Sequence, residues 1–103
     1  MNTSATEIRA AVARNVSVTD DSLIVDLDDG RTITVPLAWF PRLLNGSDDE
    51  RKDFRLIGRG EGIHWPQLDE DISVEGLIAG RSSGESRRSL KRWLEARQHA
   101  HGQ

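Results

Sequence analysis

The sequence VSVTDDSLIVDLDDGRTITVP, residues 16–36, gives the strongest indication of fold in this chain. Hydrophobic residues occupy alternate positions in three short runs, which places them on one face of an antiparallel sheet. Two aspartates separate the first two runs, and Asp28-Asp29-Gly30 between the second and third is typical of a tight hairpin turn. The pattern predicts a three-stranded β-meander.

Short helices and a further strand are expected around this meander. The sequences SATE at residues 4–7 and SDDE at residues 47–50 have the capping-box pattern that begins a helix. Residues 37–44, which lie between a proline and a glycine, are also expected to form a short helix. Residues 54–57 are interpreted as a fourth strand.

The carboxyl-terminal part predicts extended chain followed by two helices. The residue before Pro66 is excluded from helical geometry, so residues 63–66 should be extended. Ser73 is placed to cap a short helix that ends at Gly80. Residues 85–98 form an amphipathic pattern in which one side carries Leu90, Trp93, Leu94 and Arg97.

These elements indicate an α+β fold. We expect a small antiparallel β-meander of three to four strands packed with short helices, plus a C-terminal amphipathic helix. At 103 residues the chain has the length of one domain. Residues 1–80 are interpreted as that domain, and residues 81–103 as a basic linker and helix.

Charge is distributed unevenly along the chain. Residues 1–80 carry 8 Lys and Arg against 15 Asp and Glu, a net charge of −7, whereas residues 81–103 carry 6 against 2, a net charge of +4. Phosphate binding requires concentrated basic residues, so an acidic main domain argues against nucleic acid lying across it. The basic tail is the region that could contact nucleic acid, through Arg87, Arg88, Lys91 and Arg92.

Composition excludes several classes of function and location. The chain has no cysteine, which excludes disulfides, thiolate zinc sites and cysteine nucleophiles. Its first fifteen residues contain no apolar run typical of a secretory signal, and no apolar stretch approaches membrane-spanning length. We expect a cytoplasmic protein without a membrane association.

The candidate site lies in GEGIHWPQLDEDISVEGLIAG, residues 60–80, which combines a His-Trp-Pro step with several carboxylates and glycines. Tryptophan and arginine are enriched at binding interfaces, and carboxylates speed the encounter with a basic partner. We expect Trp65 to be largely buried and to act as an apolar anchor. The predicted partner-binding residues are Arg42, His64, Trp65, Asp69, Asp71 and Glu75.

Two alternative functional interpretations remain, one for this segment and one for the tail. His64 with the neighbouring carboxylates could serve a small metal-dependent or acid/base enzyme, although the usual ligand spacings are absent and Ser73 suits capping better than nucleophilic attack. The basic helix could make the chain a DNA-binding regulator. One amphipathic helix is not a helix-turn-helix, so DNA binding without a partner is not expected.

The sequence resembles one prokaryotic family, domain of unknown function twenty-four forty-two (DUF2442). The resemblance is carried by WFPRLL at residues 39–44, GIHWP at residues 62–66 and LDEDISVEGL at residues 68–77, and covers roughly residues 16–80. It implies a compact α+β domain. It also implies an antitoxin-like member of a toxin–antitoxin pair, whose partner is a second small protein encoded nearby.

The sequence and the resemblance together favour a non-enzymatic protein-binding module. Its expected partner is a small basic protein, and pairing with a second copy of the chain is a further possibility that the apolar stripe of the last helix suggests. No catalytic residue, metal or cofactor is expected.

Overall fold

The first half of the chain folds into a three-stranded antiparallel sheet, as the alternating pattern predicts. The computed structural model describes residues 10–101, in which β1 (Ala13–Val18), β2 (Ser22–Leu27) and β3 (Thr32–Pro36) follow in sequence order. Leu23 pairs with Val35, and Val25 with Ile33, so the alternating hydrophobic residues share one face. That face forms one wall of the core.

The two hairpin turns lie where aspartates were expected to place them. Gly30 adopts a left-handed φ of +95°, and Leu27 N donates to Arg31 O at 2.8 Å, which closes a three-residue loop. Only glycine adopts this backbone geometry without a steric cost. The first turn is closed by Thr19, whose hydroxyl accepts a hydrogen bond from Ser22 N at 3.0 Å.

The helix predicted over residues 37–44 is interrupted at Phe40. A 3-10 turn spans Leu37–Trp39, and α1 begins afterwards at Pro41–Leu44. Phe40 has φ −129° and ψ 86°, because the following proline excludes the helical region for the residue before it. The next helix, α2 (Asp48–Lys52), has the predicted capping box: Glu50 N donates to Ser47 Oγ at 3.1 Å, and Ser47 N donates to Glu50 Oε1 at 2.8 Å.

A second three-stranded antiparallel sheet follows. It comprises β4 (Arg55–Ile57), β5 (Gly62–Trp65) and β6 (Glu70–Ser73), again in sequence order. The fourth strand and the extended segment were predicted, but β6 was not, because its sequence EDIS is rich in residues that strands disfavour. The predicted α+β fold of antiparallel strands with short helices and a C-terminal helix is confirmed, and within the described residues its strands number six, in two three-stranded sheets.

Two helices follow the second sheet in the described residues. Ser73 caps α3 (Val74–Ile78) as predicted, since its hydroxyl accepts a hydrogen bond from Gly76 N at 2.8 Å. The last helix, α4, spans Arg87–His101. The helix expected to begin at Ser4 lies mostly outside the described residues, and residues 10–12, where it would continue, are not helical. No helix within residues 10–101 is long and apolar enough to cross a membrane.

The core lies between the two sheets and the short helices. Trp65 is its largest fully buried side chain, and its indole Nε1 donates to Arg51 O at 2.9 Å. The sheets are joined where Ala13 N donates to Gly60 O at 2.8 Å. Gly60 has φ +105°, and a Cβ at this position would lie 2.4 Å from Ala13 O. The contact between the sheets therefore requires glycine at position 60.

Candidate functional site

The second sheet has one face in the core and one face toward solvent. Strand register places His64 between Arg55 of β4 and Asp71 of β6. Because side chains alternate along a strand, these three lie on the face opposite Ile63 and Trp65. Ile57 shares their face and is 46% exposed. We call Arg55, Ile57, His64 and Asp71 the outer sheet face.

His64 and Asp71 form a cross-strand pair on this face. The distance from His64 Nδ1 to Asp71 Oδ1 is 2.5 Å, and the side chains are 31% and 71% exposed, respectively. The carboxylate orients the imidazole and leaves Nε2 without a hydrogen bond to any residue in the described part of the chain. The pair can therefore offer a partner both a ring nitrogen and carboxylate oxygens.

Asp69 and Glu75 extend the negative charge beyond the sheet. Asp69 adopts a left-handed φ of +53° in the turn before β6, and its side chain is 87% exposed. Glu75 lies exposed in the first turn of α3, where a carboxylate complements the positive end of the helix dipole. Asp69, Asp71 and Glu75 thus form a solvent-facing group, which we call the acidic rim.

Arg42 lies beside the acidic rim but faces the interior. Its guanidinium donates to Glu85 through Nε at 3.0 Å and Nη2 at 2.6 Å, and to the backbone oxygen of Asp69 at 3.0 Å. The hydrogen bonds with Glu85 raise the pKa of Arg42 and lower the pKa of Glu85. Only 17% of the Arg42 side chain is exposed. Its charge is therefore used within the fold, and the structure does not place it on a contact surface.

Trp65 is buried, as expected, but it has no accessible surface with which to act as the apolar anchor of a partner contact. Its accessible surface is zero, because strand alternation turns it into the core when His64 faces solvent. Exposed apolar side chains on the same sheet are instead Ile57 and Leu56, the latter 37% exposed. Sequence reasoning passed over them because isolated aliphatic residues in a short strand suggest core packing.

The four basic residues of the tail lie exposed on α4. Arg87, Arg88, Lys91 and Arg92 make no ion pair with any residue between positions 10 and 99. The opposite side of α4 holds the helix against the domain. There two guanidinium groups lie over the ring of Trp93. The distance from the ring centroid to Cζ is 5.2 Å for Arg42 and 4.6 Å for Arg97.

A carboxylate fixes Arg97 in turn. Its Nη1 and Nη2 atoms donate to the two oxygens of Glu50 at 3.0 and 2.9 Å. This pairing, together with the backbone hydrogen bond from Ser47, lowers the pKa of Glu50 from its ordinary value of 4.5 to about 2. Arginines, carboxylates and one tryptophan therefore orient α4 and leave its basic side facing solvent.

Metal binding has no ligand set in the described residues. No three His, Cys, Asp or Glu side chains between positions 10 and 99 are arranged to hold a metal ion. Ser73, the nearest hydroxyl to the His64–Asp71 pair along the strand, is engaged as the cap of α3. What the face can do chemically is therefore hydrogen bonding and charge pairing.

The geometry defines a small α+β domain with an open sheet face, an acidic rim and a docked basic helix. The sequence profile described as a protein of unknown function (DUF2442) matches residues 13–83. The chain belongs to this family, as its motifs indicated.

Solved structures with the same fold are also of unknown function. A protein from Rhodospirillum rubrum is 32% identical with a TM-score of 0.64, and the match covers 75% of this chain and 95% of that one. An uncharacterised protein from Chromobacterium violaceum is 18% identical with a TM-score of 0.60, over 79% of this chain and 74% of that one. No curated protein matches this chain in sequence.

Proposed function

We propose that this protein is a non-enzymatic binding module that recognises a small basic protein encoded beside it, in the manner of an antitoxin. The observation that carries this proposal is the acidic rim. Its three carboxylates are exposed next to an open sheet face: Asp69 lies 3.5 Å from Nη1 of Arg42, Asp71 pairs with His64, and Glu75 makes no ion pair within the described residues. Binding would neutralise the partner protein by covering the surface through which that protein acts.

The outer sheet face supplies the remaining contacts. Ile57 replaces Trp65 as the apolar centre, and the His64–Asp71 pair borders it. Interfaces of this kind combine a small apolar centre with a charged edge. Exposed carboxylates contribute only about 0–1 kcal/mol each to affinity, but they accelerate encounter with an oppositely charged protein. The rim therefore acts mainly on the association rate.

Salt dependence tests this role. A variant with Asp69→Asn, Asp71→Asn and Glu75→Gln should associate at least about tenfold more slowly with the basic partner at low ionic strength. The difference should nearly disappear at 0.5 M salt, where the Debye length is below about 8 Å. Surface plasmon resonance with the co-expressed neighbouring protein measures the association rates of the parent chain and of the variant at each salt concentration.

A matched control separates local charge from total charge. The variant Asp20→Asn, Asp49→Asn and Glu95→Gln removes the same number of negative charges from other elements of the fold. It should retain most of the association rate. An equal loss of association rate in both variants would mean that total charge, and not the position of the rim, sets the rate. An unchanged rate in both variants would refute the electrostatic part of the proposal.

The exposed basic side of α4 favours a second candidate, contact with nucleic acid. Its four cations lie on the side away from Trp93 and have no carboxylate partner in the described chain. If the tail binds phosphates, affinity for a short duplex should fall with salt, with a log–log slope of roughly −0.9 per neutralised phosphate. Replacing Arg88 and Arg92 by Gln should flatten that slope. A mobility shift that the substitution leaves unchanged would exclude this candidate.

A further inference from the structure

A pocket of about 300 Å³ lies between β6, α3 and residues 81–84. Buried Phe40 and Leu77 form its apolar part, and Ile72 contributes from the strand. The wall formed by residues 81–84 is held in place because Ser83 N donates to Trp39 O at 2.9 Å. A space of this volume accommodates a group the size of one long side chain.

The carboxylate of Glu70 lines this pocket from an unusual position. Register pairs Glu70 with Trp65 and Ile72 with Ile63, so Glu70 occupies the core-facing side of β6. Its carboxylate makes no hydrogen bond and no ion pair within 4 Å among residues 10–99. Glu70 is half-buried, and no fully buried side-chain oxygen among the described residues lacks a hydrogen bond, so its carboxylate keeps contact with solvent and is accessible to a ligand that enters the pocket.

We propose that the pocket binds a cationic nitrogen group, a guanidinium or an ammonium, with Glu70 as its counter-charge. The aliphatic part of such a ligand would pack against Phe40 and Leu77. The group could belong to a free amine or guanidine, or to an Arg or Lys side chain of a protein. The inference does not depend on the proposed function, because a free ligand would occupy the pocket equally well.

The protonation of Glu70 supports this assignment. Burial raises its pKa from 4.5 to about 7, an effect that Arg42 opposes and that the other nearby carboxylates increase. A bound cation would favour the ionised form and reverse the shift. The charged and titratable groups around Glu70 are Arg42 on α1, Asp69, Asp71 with its partner His64, Arg81 after α3, and Glu85 before α4.

Arg81 at the pocket provides a check on the sign of the ligand's charge. It is exposed, lines the same space and has no ion pair in the described residues. A purely cationic ligand would be repelled by it. Arg81→Ala should therefore raise the affinity for a cationic ligand, whereas the same substitution would lower the affinity for an anionic ligand.

Nuclear magnetic resonance titration of the full chain tests the proposal. Methylguanidinium chloride should produce saturable shifts of the amides of Glu70, Ile72, Gly76 and Ser83 at pH 8. Affinity should fall about tenfold between pH 8 and pH 6, as expected for a counter-charge that titrates near pH 7. Glu70→Gln should weaken binding at least tenfold, and Asp49→Asn, a remote loss of the same charge, should not.

Two controls separate a loss of ligand binding from misfolding of the variant and from non-specific effects of salt. The spectrum of Glu70→Gln reports whether the variant is folded, and sodium chloride at matched ionic strength gives the non-specific shifts. Shifts that rise linearly with either salt, or that are identical in Glu70→Gln, would overturn the proposal. Titration with butylguanidinium and with a capped Gly-Gly-Arg-Gly-Gly peptide then distinguishes a free guanidine from an arginine side chain. Tighter binding of the peptide favours a protein side chain as the ligand. Tighter binding of butylguanidinium favours a small molecule.

Discussion

Glu70→Gln should stabilise the folded protein at alkaline pH and have little effect at acid pH. In the folded chain Glu70 keeps its proton up to about pH 7, whereas the unfolded chain releases it near pH 4.5. The folded state therefore binds more protons between these values, and the free energy of unfolding falls as pH rises through this window. Above pH 7 the loss is complete.

The magnitude follows from the difference between the two pKa values. They differ by 2.5 pH units, which would correspond to about 3.4 kcal/mol for a group fully shielded from water, at about 1.36 kcal/mol per unit. Glu70 is only partly buried, and solvent screening reduces the effect, so we expect roughly 1–2 kcal/mol. Glutamine removes the charge at nearly constant volume, so it should recover most of this loss.

Urea denaturation at several pH values measures the effect. The variant should exceed the parent protein in the free energy of unfolding by roughly 1–2 kcal/mol at pH 8, and the two should agree within about 0.5 kcal/mol near pH 4.5. Asp49→Asn, an exposed carboxylate on α2, serves as the control. Equal stability of parent and variant at pH 8 would refute the account of Glu70 as a desolvated group.

Three further substitutions test the packing that positions the site. Trp93→Ala removes two cation–π contacts and a partly buried ring, and should cost about 2 kcal/mol and speed amide exchange throughout α4. Gly60→Ala should cost at least about 2 kcal/mol by thermal unfolding because of its positive φ and the contact with Ala13 O, whereas Gly84→Ala, which has open space around it, should be nearly neutral. Ser47→Ala should cost about 1 kcal/mol through loss of the α2 cap, and an unchanged melting temperature would contradict that role.

Local signals account for most of the fold that could be predicted. The first sheet follows from hydrophobic alternation and an Asp-Gly turn, and the caps at Ser47 and Ser73 follow from side chains that bond within three residues. The break at Phe40 also has a local cause in the next residue, but the prediction gave the proline less weight than the helical spacing around it. β6 had no such signal, because its pairing with β5 overrides the low strand propensity of its acidic residues.

The candidate site was harder to predict because it depends on contacts between distant positions. Arg42 is occupied by Glu85, 43 residues away, and no sequence pattern links them. Strand direction decided the other differences: it turned Trp65 into the core and His64 outward, and it put Glu70 on the inward side of β6. Residue types located the segment correctly, but assignment of each side chain to a face required the register.

We propose that the acidic rim and the outer sheet face bind a basic protein partner. Co-expression of this chain with the protein encoded beside it, followed by affinity purification and size-exclusion chromatography, tests this proposal. We expect a stable complex with the parent chain and a complex that dissociates during purification when Ile57 is replaced by Asp and the rim carboxylates by amides. Absence of a complex with the parent chain, or an equally stable complex with that variant, would contradict the claim.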